Sequence, residues 1–226
     1  MRFSGKTVLI TGGGTGIGAA VARRMAADGA NVVLMGRRRE PLEAVIGDIG
    51  GLVVQGDAAD AKAVRKALGE VHGKFGPVDI LIANAGGHGV GPTISMSDET
   101  WALATRTNLD TAFVCARECL PDLIARKGNI VVVASIAGLF AGPAAAGYVT
   151  MKHACVGFGK SLARDYGRQG VRTNTICPGW VSTDMADEQM QVLVEKYGLA
   201  SIEEAYRLVT KDVPLGRLAT PDEVAN

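Results

Sequence analysis

Apolar and polar positions along the chain follow two alternating rhythms. Short apolar runs rich in Val, Ile and Leu occupy residues 7–10, 31–35, 52–55, 78–83, 130–134 and 171–176, and these read as strands. Between them lie longer stretches with apolar residues three and four apart, which read as helices. The spacing predicts helices over residues 17–28, from about Glu40, and through Val64 and Leu68. A single long helix is expected over residues 98–126, with Leu109, Phe113, Ala116, Leu120 and Leu123 on its apolar face, and another over residues 148–168. Strand, helix and strand in repeated succession imply right-handed crossovers and an α/β fold with a parallel sheet covered on both faces. Residues 184–211 form an amphipathic helical stretch with Met190, Leu193, Val194, Tyr197, Tyr206 and Leu208 at apolar positions. It reads either as ordinary packing or as a lid over the open end of the sheet.

The bulk numbers narrow this picture. A length of 226 residues fits one domain, residues 1–226. Hydrophobic residues make up 47% and aromatics only 5%, so the core is built from aliphatic side chains, as in a buried parallel sheet. The net charge of +1 gives no support for a nucleic-acid partner. Arg37-Arg38-Arg39 is too short for such a face and reads as a solvated loop or a small anion site. Cys115, Cys119, Cys155 and Cys177 lie in apolar segments without a CxxC pair, which suggests buried, reduced thiols. His72, His88 and His153 show no metal-ligand spacing, so no metal is expected. Trp101 is expected in the core and Trp180 in a pocket wall. No signal-peptide pattern and no membrane-length apolar run is present, so a soluble cytoplasmic protein with no membrane contact is expected.

Two segments carry candidate chemistry. The first predicted strand runs into Thr11-Gly12-Gly13-Gly14-Thr15-Gly16-Ile17-Gly18 and then a helix. Glycines in that context let a phosphate approach backbone amides at the helix N-terminus. Tyr148 and Lys152 are four residues apart at the start of a helix, hence on one face and about 6 Å apart along the axis. A phenol beside an ammonium is an acid/base device, and a lowered phenol pKa is expected. Ser135 closes the fifth apolar run, thirteen residues before the tyrosine.

The TGxxxGxG turn, Asn84-Ala85-Gly86 after the fourth strand, Ser135 and Tyr148-x-x-x-Lys152 together resemble the short-chain dehydrogenase/reductase family, over essentially the whole chain. The resemblance implies a Rossmann-type three-layer fold with strand order 3-2-1-4-5-6. It also implies an oxidoreductase interconverting ketones and secondary alcohols, similar to 3-oxoacyl-carrier-protein reductase-like members. Enoyl reduction or isomerisation on the same fold, and a nucleotide-binding sensor or scaffold without turnover, are the alternatives. Carried over, the family's roles make Tyr148 the general acid/base. Lys152 lowers its pKa and binds the nicotinamide ribose, Ser135 polarises the substrate oxygen, and Asn108 holds a proton-relaying water. Gly12, Gly14, Thr15, Gly16, Ile17 and Gly18 would form the pyrophosphate turn. Asp57 and Ala58 would contact adenine, with Asn84, Ala85 and Gly86 along the adenosine ribose. Pro178, Gly179, Val181 and Thr183 would face the nicotinamide. Ala137, Trp180 and Met185 would join Ser135 and Tyr148 around a small, largely apolar substrate.

Cofactor choice turns on the end of the second strand. Family members using NAD usually place an aspartate there. This chain has Gly36 followed by Arg37 and Arg38, which favours NADP over NAD. Thr15 is a departure, because many NADP-dependent members carry a basic residue at that position. Residues 220–223 have the grammar of a helix start, with the chain stopping at Asn226 inside the first turn. A truncated C-terminus lacking the usual seventh strand is therefore expected, and the family resemblance implies a homodimer or homotetramer.

Overall fold

The computed structural model describes residues 1–226. Six parallel strands form one sheet: β1 (Thr7–Thr11), β2 (Asn31–Gly36), β3 (Leu52–Gln55), β4 (Ile80–Ala83), β5 (Asn129–Val133) and β6 (Arg172–Ile176). Their order is β3-β2-β1-β4-β5-β6, as expected. The reversal between β1 and β4 opens a crevice at the C-terminal ends of these strands, where such sheets bind ligands. Successive side chains alternate between faces. Leu9, Val33, Leu81 and Ile130 join one core, and Val8, Ile10, Val32, Leu34 and Ile82 join the other.

The second core is roofed by α1 (Gly16–Ala27) and α2 (Arg39–Ile49). The first lies under α3 (Ala61–Phe75), α5 (Thr111–Arg126) and α6 (Ala146–Tyr166). The long helix expected over residues 98–126 is not uniform. It is α4 (Asp98–Thr105), one widened π turn at Arg106–Asp110, then α5. Trp101, expected in the core, is 43% exposed on α4. Phe113 is also exposed, with its ring centroid 5.9 Å from that of Phe158.

Residues 184–211 divide into α7 (Asp184–Tyr197) and α8 (Ile202–Thr210), packed on each other. The break follows from local chemistry: Gly198 ends α7 with φ of 64°, and the Ser201 hydroxyl caps α8 by accepting from the Glu204 amide. The helix announced at Thr220 is formed as α9 (Pro221–Ala225). Its cap is reciprocal, with Glu223 N donating to Thr220 Oγ1 at 3.2 Å and Thr220 N to Glu223 Oε2 at 2.8 Å. It packs against α1.

Candidate active site

The site is assembled at the C-terminal edge of the sheet. β1 ends in Thr11, fully buried, whose hydroxyl accepts the amides of Asn84 and Ala85, both at 3.0 Å. The Asn84 side chain returns two bonds, to the carbonyls of Thr11 (3.0 Å) and Gly12 (3.2 Å). Asn84 therefore acts on the glycine turn from beneath, and its amide N–H groups are engaged there. Thr11 was not among the expected site residues. A polar residue at the last position of an apolar strand was the available signal.

The glycine turn fits a pyrophosphate. Gly12 and Gly16 have φ of 65° and 50°, the left-handed region that glycine tolerates. A Cβ on Gly18 would fall 2.2 Å from the Gly12 carbonyl oxygen, so α1 can approach the turn only because that position is bare. The N-cap residue Thr15 makes no side-chain capping bond, which leaves the first-turn amides of α1 clear of a side-chain competitor. Thr183 stands against this turn, 3.0 Å from the position of a Cβ on Gly16, while its hydroxyl caps α7 through Ala186 N at 3.3 Å.

Ser135, Tyr148 and Lys152 converge beyond β5. Ser135 opens a short 3-10 turn, and its hydroxyl accepts the Ala137 amide at 3.1 Å, so that its O–H can donate towards the Tyr148 phenol. Tyr148 is fixed in the first turn of α6, its amide bonded to the Gly89 carbonyl at 2.9 Å. Lys152, one turn on, is 4% exposed. Its ammonium donates to the Val133 carbonyl at 3.1 Å and lies 5.6 Å from the Tyr148 ring centroid, with no carboxylate paired to it.

Asn108 reaches the same place from the widened turn. Its amide nitrogen donates to the carbonyls of Gly87 and, at 2.9 Å, Ala104, while its Oδ1 accepts Gly87 N at 3.0 Å. A π turn displaces one residue from the helical ladder, and such turns favour functional positions. Here it turns Asn108 onto the loop after β4 and exposes its own carbonyl to Thr111 Oγ1 (3.3 Å) and Cys155 Sγ (3.4 Å). A Cβ on Gly86 would meet Lys152 Nζ at 3.0 Å and Asn108 Oδ1 at 3.3 Å, so the two polar groups close on one point.

The electrostatics differ from the expectation of a lowered phenol pKa. Burial pushes the Tyr148 pKa up, against an opposing hydrogen bond with Ser135. Burial likewise pushes the Lys152 pKa down, with the Cys155 and Cys177 thiols opposing it. The chain's own groups thus shift each towards its neutral form.

Asp57, expected at adenine, is held in place by two groups of the chain. Its Oδ1 accepts the Ala59 amide at 2.9 Å and its Oδ2 pairs with Arg106 at 2.7 Å. Ala58 beside it is buried. Arg37 and Arg38 are exposed at the end of β2 and take part in no ion pair. Gly14, in the same turn, abuts Pro41 of α2. Ile17 is half-buried in the first turn of α1. Pro178, Gly179 and Val181 follow β6, and Val181 bridges to Ala219. A cleft of about 360 Å³ opens between Ile136, Gly179, Trp180, Val213, Leu215, Arg217 and Glu223, with none of the four expected catalytic residues in its lining. Met185, exposed at the start of α7, has its methyl carbon 3.4 Å from the position of a Cβ on Gly87. A larger groove of about 470 Å³ runs along the β6 edge between Leu139, Lys160 and Thr175, and none of the four expected catalytic residues lines it. Three of the four cysteines are buried and Cys177 is half-buried.

A sheet that reverses at a glycine turn, with a protic pair beside the reversal, is the frame of a dinucleotide-binding α/β fold. The model of the short chain dehydrogenase family matches residues 6–192, and the chain belongs to that family. It is an NAD(P)-dependent oxidoreductase. Protein MoaE of Klebsiella aerogenes is 46% identical over 222 residues, covering 97% of this chain and 85% of its own. Meso-2,3-butanediol dehydrogenase of Serratia marcescens is 36% identical over 228 residues, covering 100% and 86%. An actinorhodin polyketide ketoreductase solved with NADPH superposes with a TM-score of 0.93 at 33% identity, over 97% of this chain and 87% of that one. No helix is long and apolar enough to cross a membrane.

Proposed function

We propose that the protein interconverts a ketone and a secondary alcohol, with NADP as the preferred cofactor and Tyr148 as general acid/base. The observation that supports this reading is the convergence of Ser135, Tyr148 and Lys152, with Lys152 reaching Gly86, whose neighbours Asn84 and Ala85 abut the glycine turn. The similarity to a butanediol dehydrogenase and a ketoreductase supports it. When bound, the nicotinamide would supply a hydride in reduction and accept one in oxidation.

The chain's own residues handle the oxygen and its proton. Ser135 offers a hydrogen bond to the substrate carbonyl oxygen, keeping its own proton, and fixes that oxygen's position. Tyr148, protonated at rest, gives its proton to that oxygen as the C–H bond forms, so the ketone becomes a hydroxyl and the phenol a phenolate. Lys152 then gains the anionic partner that it lacks at rest. A buried ammonium without a counter-charge is poorly solvated. Forming the phenolate beside it is therefore favoured in the reacting state more than in the resting one, which is the requirement for catalysis. Asn108 holds the Gly87 loop in place around this pair.

Gly36, Arg37 and Arg38 present no carboxylate and two unpaired guanidinium groups where a 2′-phosphate would sit. Met185 and α7–α8 act as a lid over the nicotinamide end, and Ala137 and Trp180 wall a small, largely apolar substrate. Phe113 and Phe158 give α5 and α6 an apolar face for a homodimer or homotetramer.

The test is Tyr148→Phe. NADPH oxidation with a panel of ketones is expected to fall by about 10³-fold, with cofactor affinity nearly unchanged. Turnover that survives the substitution contradicts the mechanism.

A further inference from the structure

We infer that Arg106 is a cofactor-specificity residue that acts by neutralising Asp57, keeping a carboxylate from repelling the 2′-phosphate of NADP. This deepens the NADP reading above and rests on it.

The register brings the two groups to one corner. Gly36 pairs with Gln55 across β2 and β3, and the amide of Gly56 donates to the Gly36 carbonyl at 3.0 Å. The Gln55 side chain donates to the Arg37 carbonyl at 2.9 Å. Asp57, two residues past Gln55, therefore lies at the same sheet end as Arg37, whose positive charge it feels. Left alone, it would place a negative charge beside the arginines offered to the phosphate.

Arg106 prevents this from 49 positions away in the chain, through its 2.7 Å contact with Asp57 Oδ2. The other carboxylates of this corner are arranged differently. Glu43 is paired with Arg39 at 2.6 Å, Asp60 caps α3 through the Lys62 amide, and Glu40 lies in the first turn of α2. Arg37 and Arg38 remain as the guanidinium groups without an acidic partner. Arg106 opens the widened turn, and from there its guanidinium reaches the segment that follows β3. Its side chain is 51% exposed, so its replacement does not disturb a core.

Titration calorimetry with NADP⁺ and with NAD⁺ tests the inference on wild type, Arg106→Gln, Asp57→Asn and the double variant. Arg106→Gln is expected to weaken NADP⁺ about tenfold more than NAD⁺, the scale of one carboxylate acting on a phosphate several ångströms away in a partly solvated site. The double variant is expected to recover most of that ratio, because the repelling charge is gone. Equal weakening of both cofactors by Arg106→Gln overturns the inference. So does a double variant that stays as discriminating against NADP⁺ as Arg106→Gln alone, which would mean that Arg106 touches the phosphate itself. A wild type that prefers NAD⁺ contradicts the NADP reading separately, and the shift in ratio on Arg106→Gln still decides the role of Arg106.

Discussion

Two buried charges occupy opposite ends of the same sheet, and their surroundings differ. At the N-terminal end, Asp79 is 3% exposed and receives Lys6 at 2.9 Å, Arg126 at 3.0 Å and the Thr7 amide at 3.0 Å. Burial alone would raise its pKa, but these hydrogen bonds outweigh it and hold the carboxyl below its usual value. At the C-terminal end, Lys152 is buried to the same degree and donates to one backbone carbonyl. Its pKa moves towards neutrality of the group instead. The first arrangement ties β1, β4 and α5 together and stabilises the fold. The second leaves a cation short of partners, and the missing partner is the phenolate that the proposed reaction creates.

The largest expected effect that sharpens this contrast is on stability at the N-terminal end. Asp79→Ala leaves the Thr7 amide unpaired in a buried position, while Lys6 and Arg126 can still reach water. A loss of about 3 kcal/mol is expected, or roughly 10 °C in Tm, with the kcat of the folded fraction unchanged. A loss of kcat at full stability would break the division between the two ends.

Acid sensitivity follows from the same group. The folded pKa of Asp79 lies below its unfolded value of about 3.9, so its contribution is fully present above that value. It is lost as pH falls through the folded pKa. Acid titration of Asp79→Ala, followed by circular dichroism, is expected to show a shallower decline than wild type over that window.

Lys152 has the opposite pH signature. Its folded pKa lies below the unfolded value of about 10.4, so between the two the unfolded chain binds more protons and stability rises with pH. That rise is expected to be absent from Lys152→Met in denaturant titrations run across alkaline pH. The raised Tyr148 pKa sets a smaller, kinetic effect. The phenol stays protonated through neutrality, so kcat/KM for ketone reduction is expected to fall, and that for alcohol oxidation to rise, as pH climbs through its pKa. Parallel profiles in the two directions would contradict its role as a two-way proton carrier.

Much of this architecture is legible in the amino-acid sequence alone. The aliphatic runs mark the six strands because parallel strands are buried on both faces and carry no competing pattern. Ser135, Tyr148 and Lys152 can be read because each is anchored to a strand end or helix start visible in the local sequence. The widened turn at Asn108 cannot, since one added residue leaves apolar spacing intact on either side and the only hint is a poor helix former. The break at residues 198–201 does have a signal, a glycine followed by Ser201-x-x-Glu204, hidden by the apolar periodicity running through it. The pairs Asp57–Arg106 and Asp79–Lys6 are invisible for a different reason: they join residues 49 and 73 positions apart, and exist only once the sheet order is fixed.

The most direct measurement is thermal unfolding and ketone reduction on one preparation of Lys152→Met beside wild type. Replacing an unpaired buried ammonium with an apolar side chain of similar length is expected to raise stability by about 1 kcal/mol, or roughly 3 °C. Turnover is expected to fall at least about 100-fold, because the forming phenolate loses its counter-charge. A variant that melts lower than wild type, or that keeps its turnover, would contradict the claim that this charge is held at a cost to the fold for the sake of the reaction.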